Sequence, residues 1–186
     1  MKSTKNLTNQ LFIKEFEMKA TKRQFMSVIL LISLGIFSTN VEAQTQIGGT
    51  ISSNTTLDPA GSPNGVYEVI NGLTIEPGVT FTIQPGVILK FRPGKAIFVR
   101  GGGHLIGTGT SVNPVVFTSL ADDSFGGDTN GDGSTTSPVA GDWGVGGPPE
   151  FDNGGGIVVR AFSSTVVPSV TLDHCIIQVC DRRYFC

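Results

Sequence analysis

The sequence is poor in charged, aromatic and sulfur-containing residues. Only 15% of its 186 residues are charged, 8% are aromatic, and it has one Trp, two His and three Cys. Its 13 Lys and Arg against 15 Asp and Glu form no basic footprint, so nucleic acid is excluded as a partner. The cysteines all fall within the last twelve positions, lack the paired spacing of a metal site, and leave an odd thiol free or mispaired.

No apolar run is long enough to span a membrane as a helix. The longest, residues 25–37, falls short of the ~20 residues that a spanning helix needs. Basic residues precede it, and Val-Glu-Ala follows and ends at Ala43. These are the features of a secretory signal peptide, and Met18 is its more natural start. We therefore predict that residues 1–43 are cleaved after Ala43, and that the mature chain is secreted or displayed at the cell surface without a membrane span.

Glycine and proline are plentiful, with 25 and 10 copies, and Pro-Gly recurs every eight residues. Residues 73–104 divide into the octads LTIEPGVT, FTIQPGVI, LKFRPGKA and IFVRGGGH. The first and third positions are apolar throughout, as in a strand with one buried face. Pro-Gly is typical of a type II turn after each strand. The second positions, which point outward, are Thr74, Thr82, Lys90 and Phe98.

Every octad has the same order of strand and turn, and no turn between them is typical of a chain reversal. This pattern favours successive sides of a polygonal coil. Three octads make a coil of 24 residues, so the first octad is expected to stack on the fourth. That arrangement places Leu73 over Ile97, Ile75 over Val99, and Glu76 over Arg100 as an opposite-charge pair. A sandwich of meandering hairpins is the alternative arrangement of such short strands.

Longer segments strengthen the coil interpretation. The run GGTISSNTTLDPAGSPNGVYEVINGLTIEPGVTFTIQPGVILKF is followed by NPVVFTS, DDSFGGDTNGDGS and GDWG. Together they resemble secreted bacterial proteins with right-handed parallel β-helix repeats, within the pectate-lyase-like superfamily. The resemblance implies an all-β, right-handed parallel β-helix over residues 44–178, and export. The tail 179–186 lacks the pattern and offers no polar cap, so we expect an N-terminal fragment of a longer protein.

A long acidic loop, residues 119–156, interrupts the octads. Between residues 121 and 152 it holds seven carboxylates and no Lys or Arg, and these charges repel one another unless a cation joins them. Asp128, Asn130 and Asp132 alternate and are followed by Gly, as in the first half of an EF-hand loop. The segment resembles the short calcium loops of dockerin-like repeats. The sequence therefore predicts a structural calcium ion.

The loop departs from the EF-hand pattern at its twelfth position, where Val139 replaces the bidentate Glu. The remaining ligands must come from elsewhere, and Asp122, Asp123 and backbone carbonyls are the candidates. The alternative is a solvated cluster of Asx and Gly turns without an ion.

These features predict an exported scaffold that is adhesin-like or binds carbohydrate or another surface ligand. The alternative is the N-terminal part of a polysaccharide lyase; Asp142, Asp152, Arg160 and Asp173 are its candidate residues, although no motif fixes their geometry. We expect Trp143 to pack the loop onto the core rather than to form a sugar-stacking platform. We predict that Cys175 lies in a strand.

Overall fold

The chain folds almost entirely into β-strands. The structure, a computed structural model, describes residues 44–144, 156–161 and 166–178. The strands in this part are β1 Thr45–Ile51, β2 Thr55–Leu57, β3 Val66–Ile75, β4 Thr80–Ile83, β5 Ile88–Phe91, β6 Ile97–Arg100, β7 His104–Thr108, β8 Val115–Ser119, β9 Ile157–Arg160, β10 Ser169–Asp173 and β11 Cys175–Ile177. Two single turns of 3-10 helix, Pro59–Gly61 and Pro63–Gly65, lie between β2 and β3.

The strands form two sheets. One has the order β11-β8-β5-β3-β6-β9, with β1 also paired to β3, and the other has the order β10-β7-β4-β2. All the strand pairs in the described part of the chain are parallel. The alternative of meandering hairpins is therefore wrong, because hairpins pair antiparallel strands. Parallel strands in a curled sheet are compatible with a β-helix.

The strand register has the predicted 24-residue offset. Leu73 in β3 pairs with Ile97 in β6, and the same offset relates β4 to β7. At the end of the first pair, the carboxylate of Glu76 lies 3.5 Å from the guanidinium of Arg100. The stacking of the first octad on the fourth is thus confirmed, including its ion pair.

The Pro-Gly turns close each strand as predicted. Gly78, Gly86 and Gly94 have φ angles of 76°, 83° and 73°. The N–H group after each glycine donates to the carbonyl before the proline, at 3.1–3.2 Å. A positive φ at the third position and this hydrogen bond define the type II turn. Gly102 repeats the turn in the fourth octad, with a φ of 81° and a second glycine in place of the proline.

The apolar first and third positions of the octads form the core. These side chains are at most 1% exposed: Leu73, Ile75, Phe81, Ile83, Leu89, Phe91, Ile97 and Val99. Like residues in consecutive coils cover one another, so each side chain loses its contact with water. Burial of one such side chain contributes about 1.5–3 kcal/mol relative to leaving it exposed. The periodic apolar pattern therefore accounts for the core.

The outward second positions of the octads do not form a single column. Thr74, Thr82 and Lys90 belong to three consecutive strands, which pair with β6, β7 and β8 respectively. Consecutive octads form different sides of the coil, so equivalent positions do not stack on one another. The two threonines are partly exposed, whereas Lys90 is completely buried. Lys90 does face away from the core, but the acidic loop covers it.

Some predictions lie outside the described residues. They are the signal peptide at 1–43, the tail at 179–186 with Cys180 and Cys186, and the carboxylate of Asp152. Within the described ranges, no helix combines the length and the hydropathy needed to cross a bilayer.

Candidate metal centre in the acidic loop

The acidic loop leaves the sheet at the end of β8 and the chain returns to it at β9. It lengthens one coil, since Ile97 in β6 pairs with Ile157 in β9, 60 positions later. The described part of the loop, residues 120–144 and 156, contains tight turns rather than strands. Six of its described glycines have positive φ: Gly126, Gly127, Gly131, Gly133, Gly141 and Gly144.

Asp128 organises the turn that follows it. Its Oδ1 accepts hydrogen bonds from the N–H groups of Gly131 at 2.7 Å and Asp132 at 3.2 Å, and its Oδ2 accepts from Gly133 at 2.8 Å. The two glycines have φ angles of 74° and 62°, a conformation that costs glycine little. The backbone therefore wraps round the Asp128 carboxylate, and Gly133 permits the sharp turn there.

Asp132 is held in the same way by the residues after it. Its carboxylate accepts from the N–H groups of Thr135 at 2.9 Å and Thr136 at 3.0 Å, and from the Thr136 hydroxyl. The side-chain amide of Asn130 donates to it at 2.9 Å and also to the Thr136 hydroxyl. The Thr136 hydroxyl above all, with the other donors, lowers the pKa of the Asp132 carboxyl because hydrogen bonds favour its charged form.

Three carboxylates converge in the loop. Asp123, Asp128 and Asp132 each offer one oxygen, and these three atoms lie within 4.8 Å of one another. The Asp123 Oδ2 accepts from the Ser134 hydroxyl at 2.7 Å, whereas its Oδ1 is buried and has no hydrogen-bond partner in the described part of the chain. A buried carboxylate oxygen without a partner costs free energy. The set offers the oxygen ligands that Ca²⁺ prefers.

Asp122, another predicted ligand, contacts the sheet. It is 2% exposed, and its carboxylate accepts hydrogen bonds from Thr118 in β8 and from Ser124. Burial by itself raises the pKa of the Asp122 carboxyl, but these hydrogen bonds and the charge of Lys90 outweigh it, so the pKa lies below its ordinary value. Asp122 therefore ties the start of the loop to β8.

Lys90, which the sequence did not assign to the site, lies beneath the loop. Its side chain is completely buried, and its Nζ donates to the carbonyl of Gly127 at 2.7 Å. Burial lowers the pKa of this ammonium, and the charges of Asp122, Asp123 and Asp128 oppose that shift. One cation that offsets the loop carboxylates thus comes from strand β5. The only signal in the sequence was a lysine within an otherwise apolar strand.

Trp143 fixes the far end of the described loop. It is completely buried, and its ring stacks on Phe91 with a centroid distance of 4.2 Å and an interplanar angle of 11°. Its indole Nε1 donates to the carbonyl of Gln178 at 2.6 Å. The prediction that Trp143 packs the loop onto the core is confirmed.

A cleft of about 320 Å³ lies between the loop and the turn after β5. Asp142 in its wall accepts hydrogen bonds through Oδ2 from the Ser119 hydroxyl at 2.8 Å and the Val139 N–H at 2.9 Å. The cleft combines hydroxyl, amide and carboxylate groups with a few apolar side chains. The lining residues are Pro93, Ser119, Leu120, Ala121, Asn130, Thr136, Ser137 and Asp142.

The other residues considered for lyase chemistry lie on separate elements. Arg160 ends β9 and Asp173 ends β10, and these strands belong to different sheets. Neither residue lines the cleft that contains Asp142. Cys175 begins β11, which confirms it as a strand residue, and burial raises the pKa of its thiol.

No family model, curated protein or solved structure matches this chain. Hypotheses about its function therefore depend on its own residues, their register and the geometry of the acidic loop.

Proposed function

We propose that this chain is an exported, right-handed parallel β-helix protein that acts as an extracellular or cell-surface scaffold, adhesin-like or carbohydrate-binding. Its acidic loop binds one calcium ion, which has a structural role. The observation that carries the calcium proposal is the group of three carboxylates, in which the Asp123 Oδ1 is buried without a hydrogen-bond partner in the described chain.

The scaffold role is supported by how the strands stack. Parallel strands stacked coil on coil give a rigid, extendable body in which each coil contacts only its neighbours. Such a body presents its inserted loops at fixed positions, and binding residues are concentrated in loops held by a rigid scaffold. Export is supported by the signal-peptide features of residues 1–43, which end in Val-Glu-Ala.

Calcium is supported by the chemistry of its ligands. Asp123, Asp128 and Asp132 would hold the ion, and carbonyl groups or water would complete its six to eight oxygen ligands. The bound ion supplies positive charge that offsets the mutual repulsion of the carboxylates. Because Asp123 precedes the turn and Asp132 ends it, the ion would link the two ends of this loop segment.

A calcium titration of the full chain, followed by thermal unfolding, tests the calcium proposal. Calcium at a hundred times its Kd adds about 2.7 kcal/mol to the stability of a protein that binds it only when folded. We expect the melting temperature to rise with calcium, and the rise to disappear in the double variant Asp128→Ala/Asp132→Ala. Asp58→Ala is the matched control, since Asp58 is an exposed aspartate that caps a turn outside the acidic loop. A wild-type melting temperature indifferent to calcium would contradict the proposal.

Carbohydrate binding is supported by the cleft beside the loop. Its volume of about 320 Å³ lies at the small end of the range for ligand sites, and it places a few polar groups beside apolar ones. A glycan array tests this part of the proposal. We expect binding that is weakened in Ser137→Ala, which removes one hydroxyl from the lining without removing a hydrogen bond to Asp132. If the folded protein gave no glycan signal, carbohydrate binding would be contradicted and the scaffold role alone would remain.

A further inference from the structure

The buried ammonium of Lys90 has a role that follows from its position. β5 pairs with β3 and β8, so that Glu68, Lys90 and Thr118 lie side by side on the outward face of the sheet. Glu68 binds Arg92, with a nitrogen–oxygen distance of 2.6 Å, and Thr118 donates to Asp122. Lys90 lies between these two pairs and directs its own hydrogen bond upward to the loop, at Gly127.

The loop contacts the sheet closely at this point. Gly126 packs so tightly on Val66 that a Cβ atom there would overlap the Cγ2 atom of Val66. The next residue, Gly127, accepts the Lys90 hydrogen bond, and Asp128 then begins the turn of the three-carboxylate group. The loop segment that contacts the sheet therefore leads directly into the candidate metal site.

A lone ammonium is costly to bury unless it is hydrogen-bonded and surrounded by opposite charge. Lys90 has both, because Gly127 accepts its hydrogen bond and the carboxylates of Asp122, Asp123 and Asp128 lie near enough to interact with it. If the loop opened, the Lys90 ammonium would be hydrated again. The loop carboxylates, however, would move away from this ammonium, which stays on strand β5. The closed loop and the buried lysine thus depend on each other.

We propose that Lys90 is the positioning residue of the acidic loop. Its ammonium holds the segment from Asp122 to Asp128 closed over β5, and so brings Asp123 and Asp128 together before any metal binds. The anchoring does not depend on calcium, whereas its effect on metal affinity rests on the calcium site proposed above.

The first test uses the wild-type full chain in EDTA. Amine acetylation followed by mass spectrometry compares Lys90 with Lys95, which lies one turn further along the chain and is partly exposed. We expect Lys90 to react at least tenfold more slowly than Lys95. Equal reaction rates in the folded protein would overturn the proposal, and this measurement needs no variant to fold.

The second test compares Lys90→Met with the matched control Lys95→Met by hydrogen exchange in EDTA. We expect exchange in residues 120–136 to accelerate at least tenfold in Lys90→Met alone, with little change in β4 and β7, which form part of the other sheet. Loop exchange equal to that of the wild type would overturn the proposal. The comparison remains decisive even if the wild type binds no calcium, so it can fail independently of the calcium site.

The sign of the change in calcium affinity separates positioning from simple charge repulsion. Loss of an anchor weakens calcium binding, and we expect the Kd of Lys90→Met to rise at least tenfold. Loss of a merely competing positive charge would instead lower the Kd. Tighter calcium binding by Lys90→Met would therefore overturn the positioning role.

Discussion

Between Val66 and Thr108 the chain buries mainly aliphatic and aromatic side chains, whereas between Leu120 and Gly144 the side chains that it buries are the Asp122 carboxylate and the Trp143 indole. In the first region, most inward residues are covered by an apolar residue of a neighbouring coil, as Leu73 is by Ile97, 24 positions later. In the loop, order comes from individual contacts with the sheet, at Lys90 and at Phe91. We infer that the repeat is stabilised collectively and the loop by a few separate anchors.

The difference has a consequence for local stability. A stack of coils unfolds cooperatively because each coil needs its neighbours. A loop with few apolar contacts can open without the rest of the protein, at a lower free energy. We therefore expect substitutions in the coils to change global stability and substitutions at the loop contacts to change mainly the opening of the loop.

The largest expected effect is that of Phe81→Ala in β4. Phe81 is 1% exposed and stacks on Leu105, so its truncation leaves a cavity and costs about 3–5 kcal/mol. Thr82→Ala is the matched control, because Thr82 follows on the same strand, faces outward and is expected to change stability by about 0.5 kcal/mol or less. Urea unfolding measures both. Similar losses in the two variants would contradict the assigned facing of the strand.

A smaller effect is expected from Gly126→Ala in the loop. Gly126 and Gly131 have φ angles of 70° and 74°, so alanine is strained at both positions by about 1–2 kcal/mol. Only at Gly126 would the new methyl group meet Val66, and this overlap adds about 1–3 kcal/mol. Gly131→Ala is thus the matched control, since nothing lies within 4 Å of its added atom.

Hydrogen exchange of residues 120–136 checks this second prediction. Faster exchange in Gly126→Ala than in Gly131→Ala, with the strands unchanged, is the expected result. If both variants exchanged alike, the contact between Gly126 and the sheet would not be what holds the loop.

The smallest expected effect is on the stability of the protein at acidic pH. The folded-state pKa of Asp122 lies below its ordinary value, because hydrogen bonds from Ser124 and Thr118 and the charge of Lys90 outweigh burial. The folded protein therefore binds this proton less readily than the unfolded chain. The stability that Asp122 contributes is complete above its unfolded pKa of about 3.9 and is lost as the pH falls through its lower folded pKa.

Urea unfolding at pH 5 and pH 3 compares the wild type with Asp122→Asn. We expect the variant to be less stable at pH 5 and to lose less stability between the two pH values. An identical loss in both proteins would show that Asp122 does not contribute to acid sensitivity.

Much of the coil could be predicted from the sequence because its determinants are local and repeated. The apolar alternation marked Leu73 and Phe81 as inward, and Pro-Gly marked the turns. The loop was only partly predictable. The turn round Asp128 follows from short-range spacing, and Trp143 from the usual burial of tryptophan, but the role of Lys90 depends on a contact with Gly127, 37 positions away.

By itself, the sequence determined the 24-residue offset of the first and fourth octads, the facing of the strands and the acidic turn, since each depends on residues at most 24 positions apart. The tertiary structure decided which side of the coil each octad forms and where the loop folds back. It therefore placed Lys90 under the carboxylates rather than in water, and turned Asp122 to β8 and Asp123 to Asp128 and Asp132. The physical reason is that a charge is buried only where long-range contacts supply its partners, and no local pattern encodes them.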